Sequence, residues 1–237
     1  MRIRAVVFDL FITLTDFEAE RCRPRFMDEL ARVLGVDPVA FASLMRATFT
    51  DRVTGRLGDA RSTFSTLASR LGCDLSPERL DRVMEMRYKQ QRRSLTPRAG
   101  VLEAVSEVRT AGYRTGVLTD CTTETPELWP SLPYAAVVDA VTFSCQVGHR
   151  KPHPAGYQDI AGRLSVAAEQ CVYVGDGSSA ELTGATSAGM TAVLIETPFD
   201  TDFRYDAEAQ WAGRSITDMQ ELRPLLQELQ EPRNNGE

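Results

Sequence analysis

The sequence predicts an α/β protein, a Rossmann-like parallel sheet with a helical cap subdomain inserted after its first strand. Three observations carry this. From residue 97 onward, short apolar runs alternate with helical stretches, the rhythm of βα units. One further apolar run, residues 3–8, stands alone near the N-terminus and stops at Asp9. Between them lies a block, 18–94, with helical spacing throughout and no strand pattern. The expected division is a core of 1–15 and 97–237 and a cap of 16–96. With 237 residues, and about 150 per domain, that is one domain with a large insertion.

Each element has a local reason. Residues 3–8 (Ile-Arg-Ala-Val-Val-Phe) read as a buried parallel strand ending in the carboxylate of Asp9. In the cap, apolar residues recur on helical faces: Phe26, Leu30, Val33 and Leu34, then Phe41, Leu44, Met45 and Phe49. Phe64, Leu67 and Leu71 follow, then Leu80, Val83, Met84 and Tyr88. Turn signals at Gly35 to Pro38, Gly55 to Gly58 and Ser76-Pro77 separate these helices. A helix is expected over 97–111, closed by Gly112, then a strand at 114–119. The proline-rich stretch Pro126 to Pro133 leads to a strand near 137–143. A helix at 154–164, a strand at 171–174, a helix at 179–188 and a strand at 191–195 follow, with a last helix near 217–229 and a frayed polar tail at 231–237. Open parallel sheets bind ligands beyond the carboxyl ends of their strands. Asp9, Thr119 and Asp176 therefore stand out, and the helical block is placed to cover that edge as a lid.

Composition excludes several classes. The chain has 33 acidic and 27 basic residues, a net charge of −6, which argues against a nucleic-acid partner. No apolar run approaches the roughly 18–20 residues of a membrane span. The first apolar run is too short for a signal peptide and no small-residue cleavage site follows it, so a cytoplasmic location is expected. The five cysteines are odd in number and lack C-x-x-C spacing, which fits reduced thiols and no zinc site. Only Lys89 and Lys151 are lysines, so a lysine at a motif position is informative. The charge is also divided: 16–96 holds 15 basic and 12 acidic residues, the remainder 12 and 21. A positive lid over an acidic core suits a small anionic substrate.

Four motifs carry the chemistry: Phe8-Asp9-Leu10-Phe11-Ile12-Thr13-Leu14; Val117-Leu118-Thr119-Asp120; Gly148-His149-Arg150-Lys151-Pro152 with Tyr157; and Val174-Gly175-Asp176-Gly177-Ser178-Ser179-Ala180-Glu181. In this order, over 9–190, they resemble the haloacid dehalogenase-like hydrolase superfamily, in the subgroup whose helical cap lies between the first two motifs. The resemblance implies a hydrolase with Asp9 as nucleophile, Thr119 bonding the transferred group and Lys151 neutralising both. It implies Mg2+ held by Asp9, the backbone carbonyl of Phe11 and Asp176, with Glu181 in support. Thr13 and Asp120 would contact the substrate. Physics agrees: two carboxylates about 4 Å apart repel by about 4 kcal/mol at an effective dielectric near 20, so Asp9 and Asp176 call for a cation. Singly, each residue has a plainer reading, Asp9 as a turn former and Glu181 as a first-turn helix acid. Gly175 to Ala180 also fits G-x-G-x-x-A, but Asp176 would push a carboxylate at a pyrophosphate.

The pattern breaks at Phe11, where phosphatases of this family have a proton-donating Asp. Three readings stay open: a magnesium-dependent phosphatase with another acid (Asp16, Glu18 and Glu20 are candidates); a metal-independent 2-haloacid dehalogenase, whose halide leaves without a proton; or a weak or non-catalytic metal-binding protein. In the cap, Arg52 and Arg56 in the Gly-punctuated loop, and Arg21, Arg23 and Arg25 near its entrance, are candidate anion contacts. Cys121 reads as a packing thiol, and Trp129 as a pocket wall or core residue. Neither His149 nor His153 is expected to be a ligand. The sequence does not fix the oligomeric state.

Overall fold

The computed structural model describes residues 2–197 and 211–230. The tail at 231–237, read above as frayed, lies outside them. Among the described residues six strands form one fully parallel sheet: β1 (Ala5–Phe8), β2 (Arg114–Thr119), β3 (Ala140–Phe143), β4 (Cys171–Gly175), β5 (Thr191–Ile195) and β6 (Arg214–Ile216), in the order β3-β2-β1-β4-β5-β6. The α/β Rossmann-like class is as the sequence predicts. β6 has no counterpart in the sequence reading, because three residues are too few to show an alternation. The strand expected near 137–143 begins later, since residues after Pro133 form a helical turn first.

The helices in chain order are α1 (Glu18–Arg21), α2 (Arg23–Leu34), α3 (Pro38–Ala47), α4 (Phe49–Val53), α5 (Ala60–Arg70) and α6 (Pro77–Ser94), all between β1 and β2. α7 (Val101–Thr110), α8 (Glu124–Leu128), α9 (Tyr134–Val137), α10 (Ser144–Val147), α11 (Pro154–Arg163), α12 (Glu181–Ser187) and α13 (Leu222–Gln230) follow. None is long and apolar enough to cross a membrane, among the described residues. Caps set the boundaries: Asp37, Asp59 and Ser76 each accept from a backbone N–H three residues on, starting α3, α5 and α6.

Strand pleat divides the core into two layers. Val6 and Phe8 of β1 face one side with Val117, Val172, Val174 and Val193, covered by Val101, Val105 and Val108 of α7 and Leu222 and Leu226 of α13. Ala5 and Val7 face the other side with Leu118 and Tyr173, covered by Tyr157 and Ile160 of α11 and Leu182 of α12. The strands are buried on both faces, so they read as continuous apolar runs rather than alternating ones. The inserted helices bury a third cluster of their own, including Leu30, Leu34, Phe41, Phe64, Leu67 and Val83. Those are the positions whose spacing predicted the helices.

The strand order reverses direction between β1 and β4. A crevice opens at the carboxyl ends of those two strands, the usual ligand position in open α/β sheets. Phe8 pairs with Val117 on one side and Val174 on the other. Thr119 and Asp176 therefore both sit two positions beyond Phe8's level, flanking Asp9.

Candidate active site

Asp9 follows β1 directly, and its backbone N–H donates to the carbonyl of Val174 at 2.9 Å, fixing it against β4. Asp176 follows β4, and Glu181 opens α12. Oxygens of Asp9, Asp176 and Glu181 all lie within 4.8 Å of one another, and all three residues are buried. Lys151, 4% exposed, enters the same space from the loop before α11. Its ammonium donates to Asp9 Oδ1 and Glu181 Oε2, and to Tyr173 Oη at 3.2 Å. Three carboxylates face one ammonium, which leaves a formal deficit of two positive charges.

Local backbone brings Glu181 inward. Ser179 and Ala180 take left-handed φ values of 58° and 50°, at roughly 1–2 kcal/mol each. Gly175 must lack a side chain: a Cβ there would fall 2.2 Å from Glu181 Oε1. The glycine that suggested a dinucleotide fingerprint thus makes room for a carboxylate. Glu181 Oε1 accepts from the Gly177 N–H at 3.1 Å, Oε2 accepts from Tyr173 Oη at 2.8 Å, and its backbone carbonyl accepts from Tyr157 Oη at 2.9 Å. Asp176 accepts from Ser178 through both N–H (3.2 Å) and Oγ (2.8 Å).

Electrostatics follow from burial. Burial pushes the Asp9 carboxyl above its usual value; Lys151 opposes this and Asp176 adds to it. Burial and then Asp9 push Glu181 well above the usual range. Burial works against the charge on Lys151, but Asp9, Glu181 and Asp120 outweigh it and hold the ammonium charged. The donor set is all oxygen, buried and short of positive charge, which fits a hard divalent ion such as Mg2+.

Two buried threonine hydroxyls beside Asp9 also lack partners. The hydroxyls of Thr13 and Thr119 are buried and make no hydrogen bond. A buried unpaired hydroxyl costs about 1–3 kcal/mol. Both residues were expected to touch the substrate or the transferred group, and an oxyanion would satisfy them. Ile12 beside Thr13 holds a left-handed φ of 69° with its N–H bonded to Thr15 Oγ1 at 2.9 Å. For a β-branched residue that conformation is an outlier.

The other expected residues fall into place variously. Asp120 Oδ1 accepts from the Lys151 N–H at 2.9 Å, and Oδ2 pairs with Arg150 at 3.6 Å, so Asp120 holds the lysine loop. Phe11 sits half-buried in the turn after Asp9 and packs against the core. Arg52 is buried, donates to the carbonyl of Met45 at 2.7 Å and lies over the Phe49 ring. It lines a narrow cavity of about 10 Å³ with Arg87, Thr122 and Glu124, room for roughly one water. Arg56 is instead brought to the surface, 62% exposed and paired with Asp51. Of the alternative acids, Asp16 caps the Glu18 N–H, Glu18 pairs with Arg21 in solvent, and the buried Glu20 pairs with Arg23. Short-range pairing thus takes up Arg21, Arg23, Glu18 and Glu20, while Arg25 is exposed. Trp129 is a core residue, stacked on Tyr134 at 5.8 Å and edge-on to Phe143 at 5.5 Å.

Sequence reasoning missed Tyr173, which bonds both Lys151 and Glu181, because its place in an apolar strand reads as packing. It also missed the clasp between the inserted helices and the core. Arg87 of α6 donates to Glu124 at 2.6 Å and Thr122 at 3.1 Å, and Gln91 donates to Thr125 at 2.9 Å. Arg150 reaches Thr50 at 3.4 Å and lies over the ring of Phe49.

Comparison with known proteins gives the family and the fold. The family model described as haloacid dehalogenase-like hydrolase matches residues 3–189. The glyceraldehyde 3-phosphate phosphatase of Methanopyrus kandleri is 28% identical over 56% of this chain and 57% of its own length. The chain thus spans little more than half of that relative. A phosphatase of Mycobacterium tuberculosis is 27% identical over 83% of this chain and 88% of its own. Among solved structures, a phosphatase of the same family from Thermococcus onnurineus superposes with a TM-score of 0.62, at 25% identity, over 94% of this chain and 98% of that one. A 2-haloacid dehalogenase from Pseudomonas syringae shares the fold, with a TM-score of 0.68 at 24% identity over 96% and 99%.

Proposed function

The chain belongs to the haloacid dehalogenase-like hydrolases, and from that premise we propose that it is a magnesium-dependent phosphatase of a small phosphorylated metabolite, acting through an aspartyl phosphate on Asp9. The observation that carries this reading is the buried triad of Asp9, Asp176 and Glu181 with its deficit of positive charge. Displacement of a halide without metal would leave the charge of the second and third carboxylates without a counterion. Phosphatase relatives support the same choice.

Asp9, Asp176 and the Phe11 carbonyl would hold the ion, with Glu181 in support. When bound, magnesium supplies positive charge to a phosphoryl oxygen and offsets the carboxylates. The chain's own residues do the rest. A carboxylate oxygen of Asp9 attacks phosphorus as the bond to the leaving oxygen breaks, and that oxygen takes its proton from water. Thr119 and Thr13 donate their unpaired hydroxyls to the phosphoryl oxygens. Lys151 favours the anionic form of Asp9 before attack and neutralises the phosphoryl group after it. Arg52 and Arg87 line a small cavity between the inserted helices and the Thr122–Glu124 segment of the core. Water then hydrolyses the aspartyl phosphate. The odd number of cysteines and their lack of C-x-x-C spacing support a reducing compartment such as the cytoplasm.

The test is release of phosphate from an aryl phosphate and from a panel of metabolite phosphates. Turnover is expected with Mg2+ and is expected to vanish with a chelator. No turnover on any phosphate would sink the reading. Halide release from a 2-haloacid without metal would replace it with the second reading, which Phe11 favours because a halide leaves without a proton.

Phe11 gives a sharper expectation. General acid help is worth roughly 10²–10⁴-fold, and Phe11 has none to give. Phe11→Asp is expected to raise kcat on alkyl phosphates by at least about tenfold. The gain should be smaller on aryl phosphates, whose phenolate leaves without a proton. An equal or lower kcat on alkyl phosphates, per folded enzyme, would show that proton transfer at this position is not limiting.

A further inference from the structure

The chemistry above leaves two thiols unused beside the catalytic loop. Thr119 and Phe143 are register partners on β2 and β3, so Cys121 and Cys145 each follow two residues beyond a paired position. Their sulfurs lie 4.0 Å apart. Cys121 is buried and Cys145 is half-buried. Their surroundings are tied to both layers. Ser144 Oγ accepts from the Cys121 N–H at 2.9 Å and donates to the Val53 carbonyl at 2.6 Å, at the end of α4. Gly55, at φ 72°, abuts Cys145 so closely that a Cβ would fall 2.5 Å from its carbonyl oxygen. Of the other thiols, Cys73 donates to the Leu34 carbonyl at 3.1 Å and Cys171 to the Ala167 carbonyl at 3.5 Å, while Cys22 is exposed.

We propose that Cys121 and Cys145 form a reversible redox site, in which a peroxide converts the thiol pair to a disulfide joining the ends of β2 and β3 beside Thr119 and Asp120. The electrons balance in two steps. The Cys145 thiolate attacks one oxygen of hydrogen peroxide, the O–O bond breaks, and hydroxide leaves to become water. Cys145 is then a sulfenic acid. Cys121 sulfur attacks that sulfur, the S–O bond breaks, and a second water leaves with the Cys121 proton. Two thiols lose two electrons and two protons, and one peroxide is reduced to two waters.

The division of roles follows from the environment. The hydrogen bond from Cys121 favours the thiolate of Cys145 and lowers its pKa, while burial pushes Cys121 up. A bond of about 2.05 Å between sulfurs now 4.0 Å apart ties the residue after Asp120, two beyond Thr119, to the chain that abuts Gly55. Misplacing a catalytic group by about 1 Å can cost on the order of 10²-fold in rate.

The experiment uses the full chain, reduced and then exposed to hydrogen peroxide, alkylated and digested for mass mapping. A cross-linked peptide pair containing Cys121 and Cys145 is expected, lost on dithiothreitol, with no cross-link to Cys22, Cys73 or Cys171. In the same samples phosphatase turnover is expected to fall by about tenfold or more and to return on reduction. Cys145→Ser should keep the reduced turnover and lose the response. This second readout rests on the phosphatase reading. Cys145 sulfinic acid without a cross-link, or a cross-linked enzyme with full turnover, would overturn the proposal. A reduced protein inactive on every phosphate would mark the failure of the phosphatase reading instead, while the peptide map would still decide whether the disulfide forms.

Discussion

Asp9→Asn is expected to lower phosphatase turnover by about 10⁴-fold or more, because it removes the nucleophile and with it the covalent route. The same variant is expected to be more heat-stable than the wild type in the presence of a chelator. Burial raises the Asp9 carboxyl, with Lys151 opposing and Asp176 adding. A carboxyl whose folded pKa lies above its unfolded value binds its proton more tightly when folded. Stability is therefore highest below the unfolded pKa and falls as the pH rises toward the folded one. The wild type should lose thermal stability between about pH 4 and its raised Asp9 value, and the amide should flatten that slope. Paired melting curves across this range, with chelator, check the claim. A wild type and variant of equal slope would show that the buried charge of Asp9 costs nothing, and retained turnover would remove Asp9 as the nucleophile.

Lys151→Met is expected to have the largest effect on stability. The ammonium bonds Asp9, Glu181 and Tyr173 together, all buried. Breaking a buried pair by deleting one partner costs about 3–5 kcal/mol, since the other charge is left without compensation. At a urea m-value of about 1–3 kcal/mol/M this moves the midpoint by more than about 1 M. Added Mg2+ is expected to restore part of the loss, because a divalent ion would neutralise the same carboxylates. An ion that binds only the folded state at 100 times its Kd contributes about 2.7 kcal/mol. Urea titrations with and without Mg2+ measure both terms. A midpoint unchanged from the wild type would mean the network holds the site without its ammonium. Turnover should fall with the charge, and Lys151→Arg should recover stability more than activity, since a guanidinium cannot seat as a point charge between two carboxylates.

The residues that carry these effects differ in how readable they were. Asp9 is legible because a buried parallel strand with a carboxylate at its end is a local pattern. Lys151 is legible because lysine is rare here and the segment around it resembles a family motif. Tyr173 is not, since its hydroxyl serves Glu181 only after α12 is folded back over β4. The arginines of the cap divide on the same principle. Sequence placed Arg52 and Arg56 in one loop, but Arg52 is buried over Phe49 while Arg56 pairs with Asp51 at the surface. Arg87, on the following long helix, is the one that crosses to Glu124. Helix faces are set by the 3.6-residue period, but which face meets the core depends on how α6 packs against α8.

By itself the sequence determined the α/β class, the helical block between the first two strands and the family motifs. These follow from periodicity and turn chemistry, which act over a few residues. The tertiary structure alone decided that Lys151 meets Asp9 across 142 residues of chain, and that Cys121 and Cys145 stand sulfur to sulfur. It also decided that the hydroxyls of Thr13 and Thr119 are left without partners. The reason is register: strand pairing brings distant chain ends to one level, and no local pattern encodes which neighbours a strand will take.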